Sequence, residues 1–351
     1  LEAENSMLGR KVQHLEAENS MLGRKVQHLE AEAEERQKPG VNHSTQTQTY
    51  TCTCTSDMTD KVTKSKIKTL FQCYTGLTLI AFSSLLSLLV PDENQNPIKY
   101  PRKRKDIQKL SIRDQLLLVL MRLRCGLSVT DLAFRFSVSR QSVSELFSSW
   151  IGYMFCQLGF FCWWPHRDVI IKHMPSGFKK NFPRSLAIID CTELKTETPS
   201  SLTVQSMCYS DYKSSPTLKS LVAVDPMGSV MYVSPLFSGS ISDNDICLQS
   251  GFYDYLSTKI ANGDLAVGDA IMADKGFTIE KELSKLGLQL NIPPFASSTT
   301  QMSASDVAYT NLIAAHRIHV ERRIGKIKNF KLVSHKIPIT LFPMINEIWF
   351  V

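Results

Sequence analysis

Two apolar runs, Leu186-Ala187-Ile188-Ile189 and Ala270-Ile271-Met272-Ala273, each end on an aspartate, Asp190 and Asp274. Short runs of this composition read as buried strands. A carboxylate at the end of a buried strand is costly unless it is paired or holds a cation. The two runs therefore call for a sheet that brings acids distant in sequence to one place. Further strand-type runs, Leu218–Val224 and Val230–Pro235, flank a hairpin turn at Asp225-Pro226-Met227-Gly228. Helical period returns over Asp243–Leu256, Thr278–Leu286 and Asn311–Lys328. Strand, hairpin, helix, strand, helix is an α/β layer.

The chain ahead of that layer has helical period. Ile112–Leu123 is amphipathic to buried and stops at Gly126, and Ser128 opens a second helix with Asp131 three residues on, a capping-box start. A Ser137-Val138-Ser139 turn leads into a third helix from Arg140 to Trp150. Helix, short turn and a helix with Arg, Gln and Ser in its first turn is the layout of a helix-turn-helix, although other all-helical modules share it. Ser139, Arg140, Gln141, Ser142 and Ser144 are the candidate contacts to base edges and phosphate. Further upstream, Leu70–Val90 is apolar enough to raise the question of a membrane span. Gln72, Thr75, Thr78, Ser83, Ser84 and Ser87, with Pro91 closing the run, favour a buried core helix, and no membrane partner is expected.

The N-terminus repeats itself: Leu1–His14 and Leu15–His28 are identical in sequence. In heptad terms Leu1, Leu8, Leu15, Leu22 and Leu29 fall on d, while Asn5, Val12, Asn19 and Val26 fall on a. That pattern favours a parallel coiled-coil homodimer; the alternative is a duplicated, partly helical tail weakened by Gly9 and Gly23. Residues 39–61, rich in Thr, Gln and Ser, read as a disordered linker. Lys99–Lys105 holds five basic residues in seven, the composition of a nuclear-import signal or a phosphate-contacting arm, or else a solvated charge run. The net charge of +7 favours an acidic partner such as nucleic acid. The nine cysteines are scattered, so neither a disulfide scaffold nor a four-ligand zinc site is indicated.

A third acid stands out, Glu321, inside the basic helical segment His316–Lys328. Three carboxylates from two strand ends and a helix are the outline of an oxygen-ligand site for Mg²⁺ or Mn²⁺, suited to in-line displacement at phosphorus. Strand-end acids also serve as helix caps and salt-bridge partners.

The wording around these acids is more specific. Ile-Ile-Asp-Cys-Thr-Glu-Leu (188–194), Tyr-Ser-Asp-Tyr-Lys (209–213), Ser-Gly-Ser-Ile-Ser-Asp-Asn-Asp-Ile (238–246), Ala-Asp-Lys-Gly-Phe (273–277) and His-Val-Glu-Arg-Arg-Ile-Gly-Lys-Ile-Lys (319–328) occur in that order. Together they resemble the DDE-superfamily endonuclease domain of Harbinger-type transposases, and the helices before them resemble the helix-turn-helix ahead of that domain in fish transposon proteins. The resemblance runs over residues 70–351. It implies an α/β, ribonuclease H-like DDE domain (161–351) preceded by an all-α helix-turn-helix domain (62–160) and the heptad repeat (1–38). It also implies Asp190, Asp274 and Glu321 as catalytic, metal-binding residues, with Asp190 bridging two ions and the others each completing one site.

Asp243 matches a family position near the catalytic face, which a role at a helix N-terminus explains equally. Arg317, Arg322, Arg323, Lys326 and Lys328 would hold the DNA backbone; alternatively they form a solvated basic face, with Arg317 pairing Glu321 one turn away. The function implied is a nuclear, metal-dependent DNA endonuclease/transposase acting at transposon ends; the alternative is a domesticated or inactive transposase-derived DNA-binding or dimerising protein. Two departures from the family are expected: no N-terminal zinc-binding module, and a C-terminal element that reads as cut off after Val351.

Overall fold

The computed structural model describes residues 68–92, 95–102, 104–159, 164–295 and 302–351. The heptad repeat (1–38) and the linker (39–61) lie outside the described residues.

The apolar run read as one helix over 70–90 is two, Lys68–Thr75 and Leu79–Leu89. Gly76 breaks it in a left-handed conformation (φ 77°), and the Thr78 side chain caps the second helix by accepting from Ala81 N at 3.2 Å. No described helix is long and apolar enough to cross a membrane. The second helix buries Phe82, Leu86 and Leu89 along one face, and Phe82 meets Phe71 edge to face at 5.2 Å.

Ile112–Cys125 is the core of the helical region: Leu116 through Met121 are all buried. Ser111 caps its start by accepting from Asp114 N at 3.1 Å, and Gly126 ends it at φ 65°. Around it pack Lys68–Thr75, Val129–Phe136, Arg140–Leu158 and the short Lys331–Ser334. A left-handed Ser137 (φ 54°) forms the turn between the second and third of these.

The second half forms a sheet of seven strands: β1 (Ser185–Lys195), β2 (Tyr209–Ser210), β3 (Ser215–Val224), β4 (Val230–Val233), β5 (Phe237–Ser238), β6 (Ala270–Met272) and β7 (Gln289–Asn291). β1 is central, with β3 antiparallel on one side and β6 parallel on the other; β7 continues parallel to β6. β4 pairs with the end of β3, and β2 and β5 pair with its beginning. Leu186 to Ile189 are completely buried, as a central strand covered on both faces requires. The Asp225–Gly228 hairpin closes with Gly228 N donating to Asp225 O at 2.8 Å.

Helices cover this sheet. The stretch expected as one helix from Asp243 is split into Asp243–Gln249 and Phe252–Ala261 by Gly251 (φ 75°). The long helix Ala304–Ile327 lies across β1 and β3, burying Ile313, Val320 and Ile324. Arg167 ties the helix Arg167–His173 to the sheet by a two-pronged pair with buried Asp269, at 2.8 and 3.0 Å. The last helix, Ile345–Phe350, inserts Trp349, whose Nε1 donates to Ser220 Oγ of β3 at 2.9 Å, and stacks Phe350 edge to face on Phe155 at 5.6 Å.

Candidate active site

Strand register explains how the two aspartates meet. In the parallel pair Ile188 stands opposite Met272, so Asp190 and Asp274, each two residues further along, come out level where β6 ends. Arg317 reaches both from the long helix: its Nη1 is 3.0 Å from Asp274 Oδ1 and its Nη2 is 3.6 Å from Asp190 Oδ1. Asp190 Oδ1 also accepts from Cys191 N at 2.9 Å.

The two acids differ in exposure. The Asp190 side chain is 23% exposed and that of Asp274 53%, so desolvation falls on the first. Burial drives the Asp190 carboxyl up; Arg317 opposes it, the Asp274 and Asp243 charges add to it, and the result is about 6 instead of 3.8. One guanidinium is thus too little to offset the burial of Asp190.

Arg317 was expected on the DNA backbone or, alternatively, paired with Glu321; its guanidinium pairs instead with the two aspartates. The helix turns its buried face, with His316, Arg317, Val320 and Ile324, toward the sheet, so Arg317 meets two carboxylates there. His316 is locked beside it, with Nδ1 2.7 Å from Leu312 O and its ring against Phe178 and Phe182.

Glu321 lies one turn beyond Arg317, exposed, with no ion pair or hydrogen bond from its side chain to another described residue. Among the described residues no group of three His, Cys, Asp or Glu side chains is arranged to hold a metal. Two of the three expected acids are therefore assembled and the third is not joined to them. The assembled pair fits a hard divalent cation: both donors are carboxylate oxygens, and a cationic Arg side chain already bridges them.

Asp243 belongs to this neighbourhood. It forms an ion pair with Lys219 at 2.7 Å, and its Oδ2 lies 3.5 Å from where a Cβ on Gly276 would sit, against the loop that carries Asp274. Asp243 is also the first residue of the helix that Ser242 caps by accepting from Asp245 N at 3.1 Å, so the helix-terminus explanation stands beside this contact.

The basic residues divide. Arg322 and Lys326 are exposed, while Arg323 Nε donates to Gly228 O and is engaged by the hairpin turn. Lys328 is half-buried; burial and the nearby Lys213 ammonium hold its pKa below the usual lysine value, against Glu193 and Asp190.

The helix-turn-helix shows a comparable division. Ser139 caps the third helix by accepting from Ser142 N at 3.1 Å, and Arg140, Gln141 and Ser144 are exposed. Ser142 departs from its expected role at the DNA surface: it is buried, and its hydroxyl donates to Asp106 Oδ2 at 2.6 Å. The same oxygen accepts from Ser139 N at 2.9 Å. Burial would raise the Asp106 carboxyl, but these hydrogen bonds outweigh it and hold the group at about 2. Arg104, from the basic run, grips Glu145 of the third helix through two contacts at 2.8 and 2.7 Å.

Comparison with known proteins agrees with this division of the molecule. Residues 189–351 match the family described as DDE superfamily endonuclease, and residues 108–160 match the helix-turn-helix of DDE superfamily endonuclease. No curated protein matches the chain. The aspartates levelled by β1 and β6, and the capped helix that precedes them, thus lie in a DDE superfamily endonuclease domain and in that superfamily's helix-turn-helix domain.

Proposed function

We propose that the protein is a metal-dependent DNA endonuclease and transposase of the Harbinger type, cutting and transferring phosphodiester bonds at transposon ends. The observation that carries this reading is the level pair Asp190 and Asp274, short of positive charge and sharing Arg317. A ribonuclease H-like sheet is supported by central β1, flanked by antiparallel β3 and β4 on one side and parallel β6 and β7 on the other.

Mg²⁺ or Mn²⁺ would be held by Asp190 and Asp274, with Glu321 joining from the helix. Bound there, the metal would activate the attacking oxygen and stabilise the leaving one. Arg317 holds the two carboxylates together and would yield their oxygens to a stronger cation. Exposed Arg322 and Lys326 on the same helix grip phosphate. Ser139, Arg140, Gln141 and Ser144 face the major groove from the third helix, which Asp106 and Arg104 hold in place. The basic run Lys99–Lys105 directs the chain to the nucleus, and the heptads at 1–38 pair two copies.

A nicking assay on supercoiled plasmid with Mg²⁺ tests the reading. Asp190→Asn and Asp274→Asn should each lower the rate on the order of a thousandfold, the equivalent of several kcal/mol of transition-state stabilisation. Activity equal to that of the unaltered chain would sink it. A second reading, a transposase-derived protein that binds DNA without cutting it, is favoured by Glu321 standing apart from the aspartate pair. DNA binding with no nicking in either Mg²⁺ or Mn²⁺ would select it.

A further inference from the structure

The connection from β1 to β3 is not a simple turn. It carries a short helix, Leu202–Cys208, then β2, then a turn at Asp211–Ser214. This excursion displays apolar and aromatic surface that a folded chain ordinarily hides: Leu202 is 81% exposed, Met207 55% and Tyr212 83%. Beside it lies a cavity of about 470 Å³ lined by Leu202, Gln205, Ser206, Tyr209, Asp211 and Ser240. That volume falls in the ~300–1,000 Å³ range of small-ligand sites. The lining has a specific chemistry: a leucine and a phenol ring offer faces for stacking, while an amide, two hydroxyls and a carboxylate offer hydrogen bonds to the edge of a flat polar ring.

Next along the chain from Asp211 come Tyr212 and Lys213. Lys213 Nζ sits 4.2 Å from the centre of the Tyr212 ring, and Lys213 faces Lys328 closely enough for their charges to repel. Neither lysine has an ion-pair partner among the described residues. Lys328 in turn feels the charges of Glu193 and Asp190.

Register gives the span. Asp190 stands opposite Val222 and Lys195 opposite Thr217, so the hairpin begins past the point five residues along β1 from Asp190. At ~3.3 Å per strand residue that is ~17 Å along β1. An exposed aromatic ring with a lysine against it and a polar-edged cavity are what a protein uses to hold an unpaired base.

We infer that the cavity beside Leu202–Tyr209 is a nucleobase site, taking an unstacked base of the strand whose phosphate lies at Asp190 and Asp274, with Tyr212 and Lys213 gripping the same strand. The inference rests on the proposed DNA-cutting function. Asp211, as an acceptor, selects bases that carry an exocyclic amino group, such as cytosine over thymine.

Fluorescence anisotropy of the full chain with labelled oligo(dC), oligo(dT) and a duplex, without divalent cation, tests it. Tyr212→Ala should weaken oligo(dC) binding about five- to a hundredfold, Tyr212→Trp should restore it, and duplex affinity should not move. Asp211→Asn should abolish the preference for oligo(dC) over oligo(dT). Tyr212 is too exposed for its loss to unfold the chain, and a melting curve checks this directly. Unchanged oligo(dC) affinity in Tyr212→Ala would overturn the inference. So would a Tyr212→Ala variant that changes only the self-association seen in sedimentation, since the patch would then be a protein interface. Nicking that survives Asp190→Asn removes the proposed function instead, and the two failures are read in different assays.

Discussion

Asp190 and Asp106 are both partly buried aspartates beside a helix, and the protein treats them in opposite ways. Asp106 receives Ser142 Oγ and Ser139 N on a single oxygen and is held at about 2, a charge fully answered by its neighbours. Asp190 has one backbone donor, a guanidinium at 3.6 Å and two other acids nearby, and is pushed up to about 6. The first arrangement is finished and serves structure. The second lacks positive charge, which is the mark of a carboxylate arranged for something that binds.

The largest test of that contrast removes the one cation at the unfinished site. Arg317→Ala leaves Asp190 and Asp274 facing each other, and should destabilise the fold by about 3 kcal/mol, at the low end for a broken buried pair because Asp274 is half exposed. Mg²⁺ should raise the melting temperature of this variant more than that of the unaltered chain; an equal rise would mean that Arg317 does not occupy the cation position.

Next in size is the response of Asp190 to pH. Its folded pKa of about 6 exceeds the unfolded 3.8, so the folded state binds the extra proton and stability falls as pH rises between those values. Asp190→Asn, which does not titrate, should therefore gain about 2–3 kcal/mol over the unaltered chain above pH ~6 and little below pH ~4, without divalent cation. A gain independent of pH in denaturant titrations would refute the mechanism.

Asp106 should behave in the reverse sense and more weakly. Its folded pKa lies below the unfolded 3.8, so its contribution is present above that value and is lost as pH falls toward 2. Asp106→Ala should cost about 1–2 kcal/mol at pH 7, and that cost should shrink through this acid window. A constant cost would make Asp106 a packing residue only.

Sequence made the strand-end acids legible because burial is written in the apolar runs before them. It made the helix-turn-helix legible because Ser128 caps the second helix where N-cap rules place it. Arg317 was obscured because local spacing offers Glu321 as its partner, and only the packing of the helix across β1 shows that two acids outbid one. Ser142 was misplaced for a related reason: its partner Asp106 is 36 positions away. β2, β5 and β7 have two or three residues each, too few for an alternating pattern to register. The break at Gly76 is clear once its φ of 77° is known, but a lone Gly in an apolar run carries no such sign.

The helix Ile345–Phe350 has a mechanical consequence. Through Phe350 it is anchored on Phe155 of the Arg140–Leu158 helix, and through Trp349 on Ser220 in the middle of β3. One short wedge thus bolts the helix with the capped, exposed N-terminus to the strand beside Asp190. Under the proposed function this makes the molecule a caliper: the span from the bases recognised to the bond cut is set by the frame, not by a tether. Loosening the wedge at Trp349 would then blur the position of the cut before it changed which DNA is bound.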